Sequence, residues 1–125
     1  MLDMVPDWLR SRAEPCGSRV TVNPPPTDTD ADFLVLVMQY DVAGVITRLA
    51  NEGFTWEGSP EHYQTIVAGS FMSWRKDQVN LIVTASEDFA LRHRAATSIC
   101  KRLNLTVKAD RIAVFKGVLY GSATD

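Results

Sequence analysis

The sequence predicts a mixed α/β (α+β) fold, a central mixed sheet with helices packed on it, and three observations carry that expectation. Phe33-Leu34-Val35-Leu36-Val37-Met38 is an unbroken apolar run with acidic residues before it and Gln39 after it, the pattern of a central strand covered on both faces. Polar Arg75-Lys76-Asp77-Gln78 separates two strand-like runs, 63–74 and 79–84, which reads as a hairpin. Segments 86–103 and 108–120 repeat apolar residues at helical spacing.

From the N-terminus, Pro6 stands where a first helical turn tolerates proline, so a short helix is expected to end before Pro15. Cys16-Gly17-Ser18 reads as a turn. Arg19-Val20-Thr21-Val22 reads as a short β-branched strand, stopped by Asn23 and three prolines that form a stiff connection. After the apolar strand, Asp41 can cap a helix with Val42, Val45, Ile46 and Leu49 inward, and Gly53 ends it. Phe54 to Glu57 reads as a strand and Gly58-Ser59-Pro60 as the turn after it. Ser86 is a helix N-cap with Glu87 and Asp88 in the first turn, and Phe89, Ala96, Ile99, Cys100 and Leu103 share one side of that helix. Asn104 to Thr106 break it, and the last helix turns Ile112, Phe115 and Leu119 inward. Residues 121–125 have nothing to bury and are expected to fray.

A chain of 125 residues that is 46% apolar and 22% charged can bury a core of its own, so a single domain over 1–125 is the expectation and a disordered chain is excluded. No stretch reaches the roughly 20 apolar residues a membrane helix needs, and the N-terminus lacks signal-peptide order, so a cytoplasmic protein with no membrane partner is expected. Cys16 and Cys100 have no metal-ligand spacing and are read as two reduced thiols. Charge is uneven: residues 1–62 hold four Lys/Arg against ten Asp/Glu, and residues 63–125 hold nine against five. An acidic site facing a basic wall, or two solvated faces of opposite sign, both fit that asymmetry.

The segment that carries chemistry is Gly17-Ser18-Arg19 followed by Asp30-Ala31-Asp32 at the entry to the apolar strand. Alternate strand residues point the same way, so carboxylates at i and i+2 share a face and repel unless a cation lies between them. Two overlapping pairs are available, because Asp28 precedes Asp30. The later pair is preferred, since Asp32 runs straight into the strand. A polar strand entry after a proline loop is the alternative reading.

A Gly-Ser turn, a gap of about ten residues and an Asp-x-Asp pair opening a hydrophobic strand resemble the nucleotidyltransferase superfamily, whose fold is that of DNA polymerase beta. The resemblance implies that Gly17, Ser18 and Arg19 approach the phosphates of a nucleoside triphosphate, and that Asp30 and Asp32 hold Mg2+ or Mn2+. The implied reaction moves a nucleotidyl group to a hydroxyl on RNA, protein or a small molecule. The family's third carboxylate, on a later strand beside the pair, falls at Asn80, and an amide cannot take a proton. Where the family starts a helix after Gly-Ser, residues 19–22 lack helical character. Segments of the second half also resemble small nucleotidyltransferase-like proteins encoded by bacteriophages. That implies, as an alternative, a catalytically degenerate phage protein that binds or inhibits a host defence or nucleic-acid enzyme.

Ser73-Trp74-Arg75-Lys76 sets an aromatic beside two cations at the hairpin tip, either a stacking platform for a base or RNA strand or a buried Trp beside a solvated face. Arg75 and Lys76 are therefore nucleotide-binding candidates. Arg92, Arg94, Lys101, Arg102, Lys108 and Arg111 could extend them into a basic wall or simply solvate helical faces. His93 is read as a core or boundary histidine and His62 as a surface one, with no zinc spacing at either. Asp30, Asp32 and Asn80 are expected together at one edge of the sheet, reached by Gly17 and the hairpin tip.

Overall fold

A computed structural model of the protein describes residues 2–26, 29–57 and 71–120. The fold is mixed α/β, and among the described residues it forms a five-stranded sheet with helices on both faces. Its strands are β1 (Ala13–Cys16), β2 (Ala31–Leu36), β3 (Thr55–Trp56), β4 (Phe71–Lys76) and β5 (Val79–Thr84), in the spatial order β1-β2-β5-β4-β3. The helices are α1 (Ser18–Thr21), α2 (Val42–Asn51), α3 (Glu87–Leu103) and α4 (Lys108–Tyr120), with short 3-10 turns at Leu2–Met4, Asp7–Arg12 and Gln39–Asp41.

β2 and β5 form the parallel centre of the sheet and the other three pairings are antiparallel. Both central strands are continuous apolar runs because both of their faces are covered. On one face Phe33, Val35, Leu81, Val83 and Trp74 pack against Val5 and Leu9 of the N-terminal turns and Val45 and Leu49 of α2. On the other, Leu34, Ile82 and Phe71 pack against Phe89, Ala96 and Cys100 of α3 and Phe115 and Leu119 of α4. The β2–α2 and β5–α3 connections thus leave the parallel pair toward opposite faces.

Four local readings are corrected. Residues 13–16 are a strand that sequence reading missed, and Pro15 is tolerated in it because β1 is an edge, where a missing N–H breaks no ladder on the outer side. Residues 19–22 are not a strand. Gly17, at φ 76° and ψ −172°, turns the chain sharply, and the Val20 and Thr21 amides donate back to its carbonyl at 3.1 Å to make the single turn of α1. Arg75 and Lys76 belong to β4, so the hairpin turn is only Asp77-Gln78, with Asp77 left-handed at φ 53°. Asp41 precedes α2 but does not cap it, because the preceding 3-10 turn already fixes it in a helical conformation; it lies 3.7 Å from Arg12 instead.

α3 starts as expected. The Ser86 hydroxyl accepts from the Phe89 amide at 3.1 Å, with Glu87 and Asp88 in the positive first turn. Its inward side is Phe89, His93, Ala96 and Cys100, whereas Ile99 and Leu103, expected inward, face solvent. At about 100° per residue Ile99 lies about 80° round the helix from Phe89, off the inward stripe, whereas Leu103 stays within about 40° of Phe89 and is exposed as the last residue of the helix. In α4, Phe115 and Leu119 are buried as expected and Ile112 is half-buried. Ser86→Ala is expected to cost about 1 kcal/mol in urea unfolding, and Ser86→Asp only a few tenths, because Asp supplies the same acceptor.

The sequence reading of 63–70 as part of a hairpin arm, the 58–60 turn, His62, Asp28 and the fraying of 121–125 lie outside the described residues. Among the described residues no helix is long and apolar enough to cross a membrane.

Candidate functional site

The register lays one row of polar side chains across the sheet. Asp32 of β2 pairs with Asn80 of β5, Asn80 pairs with Arg75 of β4, and on the other side Asp32 pairs with Cys16 of β1. Paired residues project to the same face, so the row stands on the α3 side at the end of the sheet where β2 and β5 begin. Asp30 joins it from just before β2. Asp30, Asp32 and Asn80 do come together as expected, but at the end of the central strand pair and not on an edge strand, and Gly17 and Arg75 reach them while Lys76 does not.

The Asn80 side-chain amide donates to Asp32 Oδ1 at 3.1 Å. That bond fixes which way the amide points, since the flipped amide would set oxygen against oxygen. The amide oxygen, Asn80 Oδ1, is then buried and without a hydrogen-bond partner among the described residues. An orphaned buried acceptor beside two carboxylates is a donor atom for a cation.

Gly17 closes the site from above Asp32. A Cβ on Gly17 would sit 2.1 Å from Asp32 Oδ2 and 2.9 Å from Asp32 Cβ, so bare backbone is all that fits there. Glycine is required twice over, because φ 76° with ψ −172° is a region that side chains forbid. The Ser18 hydroxyl reaches Thr29 Oγ1 at 3.4 Å, and the Arg19 guanidinium donates to the Thr29 carbonyl at 2.9 Å. Ser18 and Arg19 thus tie the turn to the segment that delivers Asp30.

The guanidinium of Arg75 bridges two carboxylates, donating to Asp30 and, at 2.6 Å, to Glu57. Burial and the neighbouring Asp30 charge push the Asp32 carboxyl up to about 6, and the bond from Asn80 with the charges of Arg75 and Arg19 holds it from going higher. Cys16 shares the row. Burial first, then the Asp32 and Glu14 charges, raise its thiol well above its ordinary range, so it is a neutral neighbour and not a nucleophile.

Lys76 does not belong with this row. One residue beyond Arg75 on a strand, it points to the opposite face, where its ammonium donates to the Glu52 carbonyl at 2.8 Å beyond the end of α2 and lies over Phe54. Trp74 faces the same way and is buried in the core, which removes the stacking platform. Three of the six residues of the expected basic wall are engaged: Arg94 donates to Glu14 at 2.6 Å, Arg92 pairs with Asp88 at 3.0 Å, and Arg111 donates to the Leu105 carbonyl at 2.9 Å. Sequence reading missed Glu57 and Thr29. Glu57 was findable only through pairing of its strand with β4, and Thr29 acts mainly through its backbone carbonyl, which leaves no signature, with its hydroxyl in longer contact with Ser18.

A divalent cation can be tested against these donors. Among the described residues no group of three or more His, Cys, Asp or Glu side chains is gathered for a metal. The oxygens available are the two carboxylates and Asn80 Oδ1, a set of hard ligands that suits Mg2+ or Mn2+ with water completing the shell and does not suit zinc. No family model, curated protein or solved structure matches the chain, so any role for this site rests on its own residues.

Proposed function

We propose that the row is a divalent-metal and nucleotide site of the nucleotidyltransferase type. The observation that carries this reading is the approach of Gly17 backbone onto Asp32, beside Asp30, at the mouth of the parallel strand pair. A turn kept bare by glycine brings its backbone close to the carboxylate pair, where its amides could meet a phosphate held by a cation. Mg2+ or Mn2+ would be held by Asp30, Asp32 and Asn80 Oδ1, and when bound it would neutralise phosphate charge. Arg75 would exchange a carboxylate for a phosphate oxygen, and Gly17 and Ser18 would line the triphosphate. In the reaction an acceptor hydroxyl oxygen bonds to the α-phosphorus, the bond to the bridging oxygen breaks, and pyrophosphate leaves. The hydroxyl proton goes to the carboxylate pair or to water, since Asn80 cannot take it. The acceptor would be a hydroxyl on RNA, protein or a small molecule.

One observation favours a second reading, a degenerate site on a binding protein directed at a host defence or nucleic-acid enzyme. Arg75 already bridges Asp30 and Glu57, so Asp30 has a cationic partner without a metal. Calorimetry with Mn2+ and a non-hydrolysable triphosphate separates the two. The first reading expects saturable binding that Asp30→Ala or Asp32→Ala abolishes, and that Asn80→Asp strengthens about ten-fold by adding a charged ligand. Absence of Mn2+ and triphosphate binding at millimolar concentration would leave only the second.

A further inference from the structure

We propose that the outer face of α3 is a self-association surface, on which a second copy of this chain packs its own α3 antiparallel about Ala95. Leu91, Ala95, Ile99 and Leu103 follow one another at four-residue spacing on the longest helix, and all of them face solvent, Leu91 at 61% and Leu103 at 64% exposure. Phe89, His93, Ala96 and Cys100 supply the core from another side of the helix, and among the described residues this second apolar line, from Leu91 through Ala95 to Ile99, is left exposed. Scattered exposed apolar residues are ordinary, but an aligned row of them is the ridge that packs into the groove of another helix.

The charges select the partner. α3 is acidic in its first turn, at Glu87 and Asp88, and basic in its last, at Lys101 and Arg102. Parallel pairing of two such helices sets like against like and aligns their dipoles unfavourably. Antiparallel pairing sets each acidic end against a basic end and opposes the dipoles. Asp88 and Arg102 lie seven residues to either side of Ala95, and Leu91 and Ile99 four, so a two-fold axis there brings Asp88 to Arg102 and Leu91 to Ile99 of the other copy. The small side chain at the crossing point lets the helices approach. Asp88 already pairs with Arg92 at 3.0 Å, yet its carboxylate remains 75% exposed and can accept a second guanidinium.

A single helix pair buries less than the usual 1,600 Å² or so of a stable interface, so half-association is expected on the order of 10–100 µM. Sedimentation equilibrium of the full chain across that range, at low salt, reads it. Leu91→Glu is expected to leave the helical circular dichroism unchanged and to give monomer throughout. Asp88→Arg or Arg102→Asp alone strikes both symmetric contacts and should weaken association about ten-fold. The double swap rebuilds both contacts and should return to within about three-fold of the starting protein. Monomer at every concentration, or association that Leu91→Glu leaves intact, overturns the surface. Failure of the double swap to restore association overturns the antiparallel register, which is part of the proposal.

Discussion

Gly17→Ala is expected to lower stability by about 3 kcal/mol, the sum of a forbidden backbone conformation and a steric clash. At φ 76° and ψ −172° alanine is strained wherever it sits, and here its methyl would also fall 2.1 Å from the Asp32 carboxylate oxygen. Neither cost can be relieved alone. Relaxing φ moves the turn that starts α1, while moving Asp32 breaks its bond from Asn80 at the centre of the sheet. Gly44 is the control, since it lies in α2 with open space where a Cβ would go. Gly44→Ala should raise stability by about 0.5–1 kcal/mol through helix propensity alone. Urea unfolding of both variants settles the matter, and a loss under about 1 kcal/mol at position 17 would mean the turn is looser than its geometry requires.

The fold class was legible because its signals are redundant. The apolar run at 33–38 says central strand through composition and through length, and Ser86 with Glu87 and Asp88 says helix start through capping and charge together. What failed were segments whose structure depends on something distant. Residues 19–22 are β-branched and read as a strand, but the conformation of Gly17 commits them to a helical turn before propensity can act. Residues 13–16 form a strand only because β2 offers a free edge, which no local pattern announces. In the site, the Asp30, Asp32 and Asn80 association was legible from strand order and alternation. The split between Arg75 and Lys76 was not, because both read as part of a four-residue turn, whereas the turn is only two residues and both lie in β4, where neighbours alternate faces.

Asp32→Asn is expected to stabilise the metal-free protein at pH 7.5 by about 1–3 kcal/mol and to uncover a pH dependence that the natural chain conceals. Asp32 holds its proton up to about 6 in the fold against 3.8 ordinarily, so the folded state is the better proton binder and stability rises as pH falls from 6 toward 3.8. His93 does the reverse. Burial against Phe89 and Phe115 lowers its imidazole to about 4 from 6.5, so the unfolded state binds the proton better and stability falls as pH drops from 6.5 to 4. Each shift is worth about 3 kcal/mol over nearly the same window, with opposite sign. The natural chain should therefore change little between pH 6.5 and 4 on account of these two groups. Removing the carboxylate with Asp32→Asn leaves the histidine alone, and that variant should lose stability on acidification. His93→Leu leaves the carboxylate alone and should gain it, and the double variant should return to the level profile. Urea midpoints measured in chelator at pH 7.5, 6, 5 and 4, taken as differences between variants so that the other carboxylates cancel, read all four outcomes. A less stable Asp32→Asn at pH 7.5 would mean that Asn80, Arg75 and Arg19 more than compensate the buried charge. Asp32 would then be a structural carboxylate, and the site would lose the group most in want of a cation.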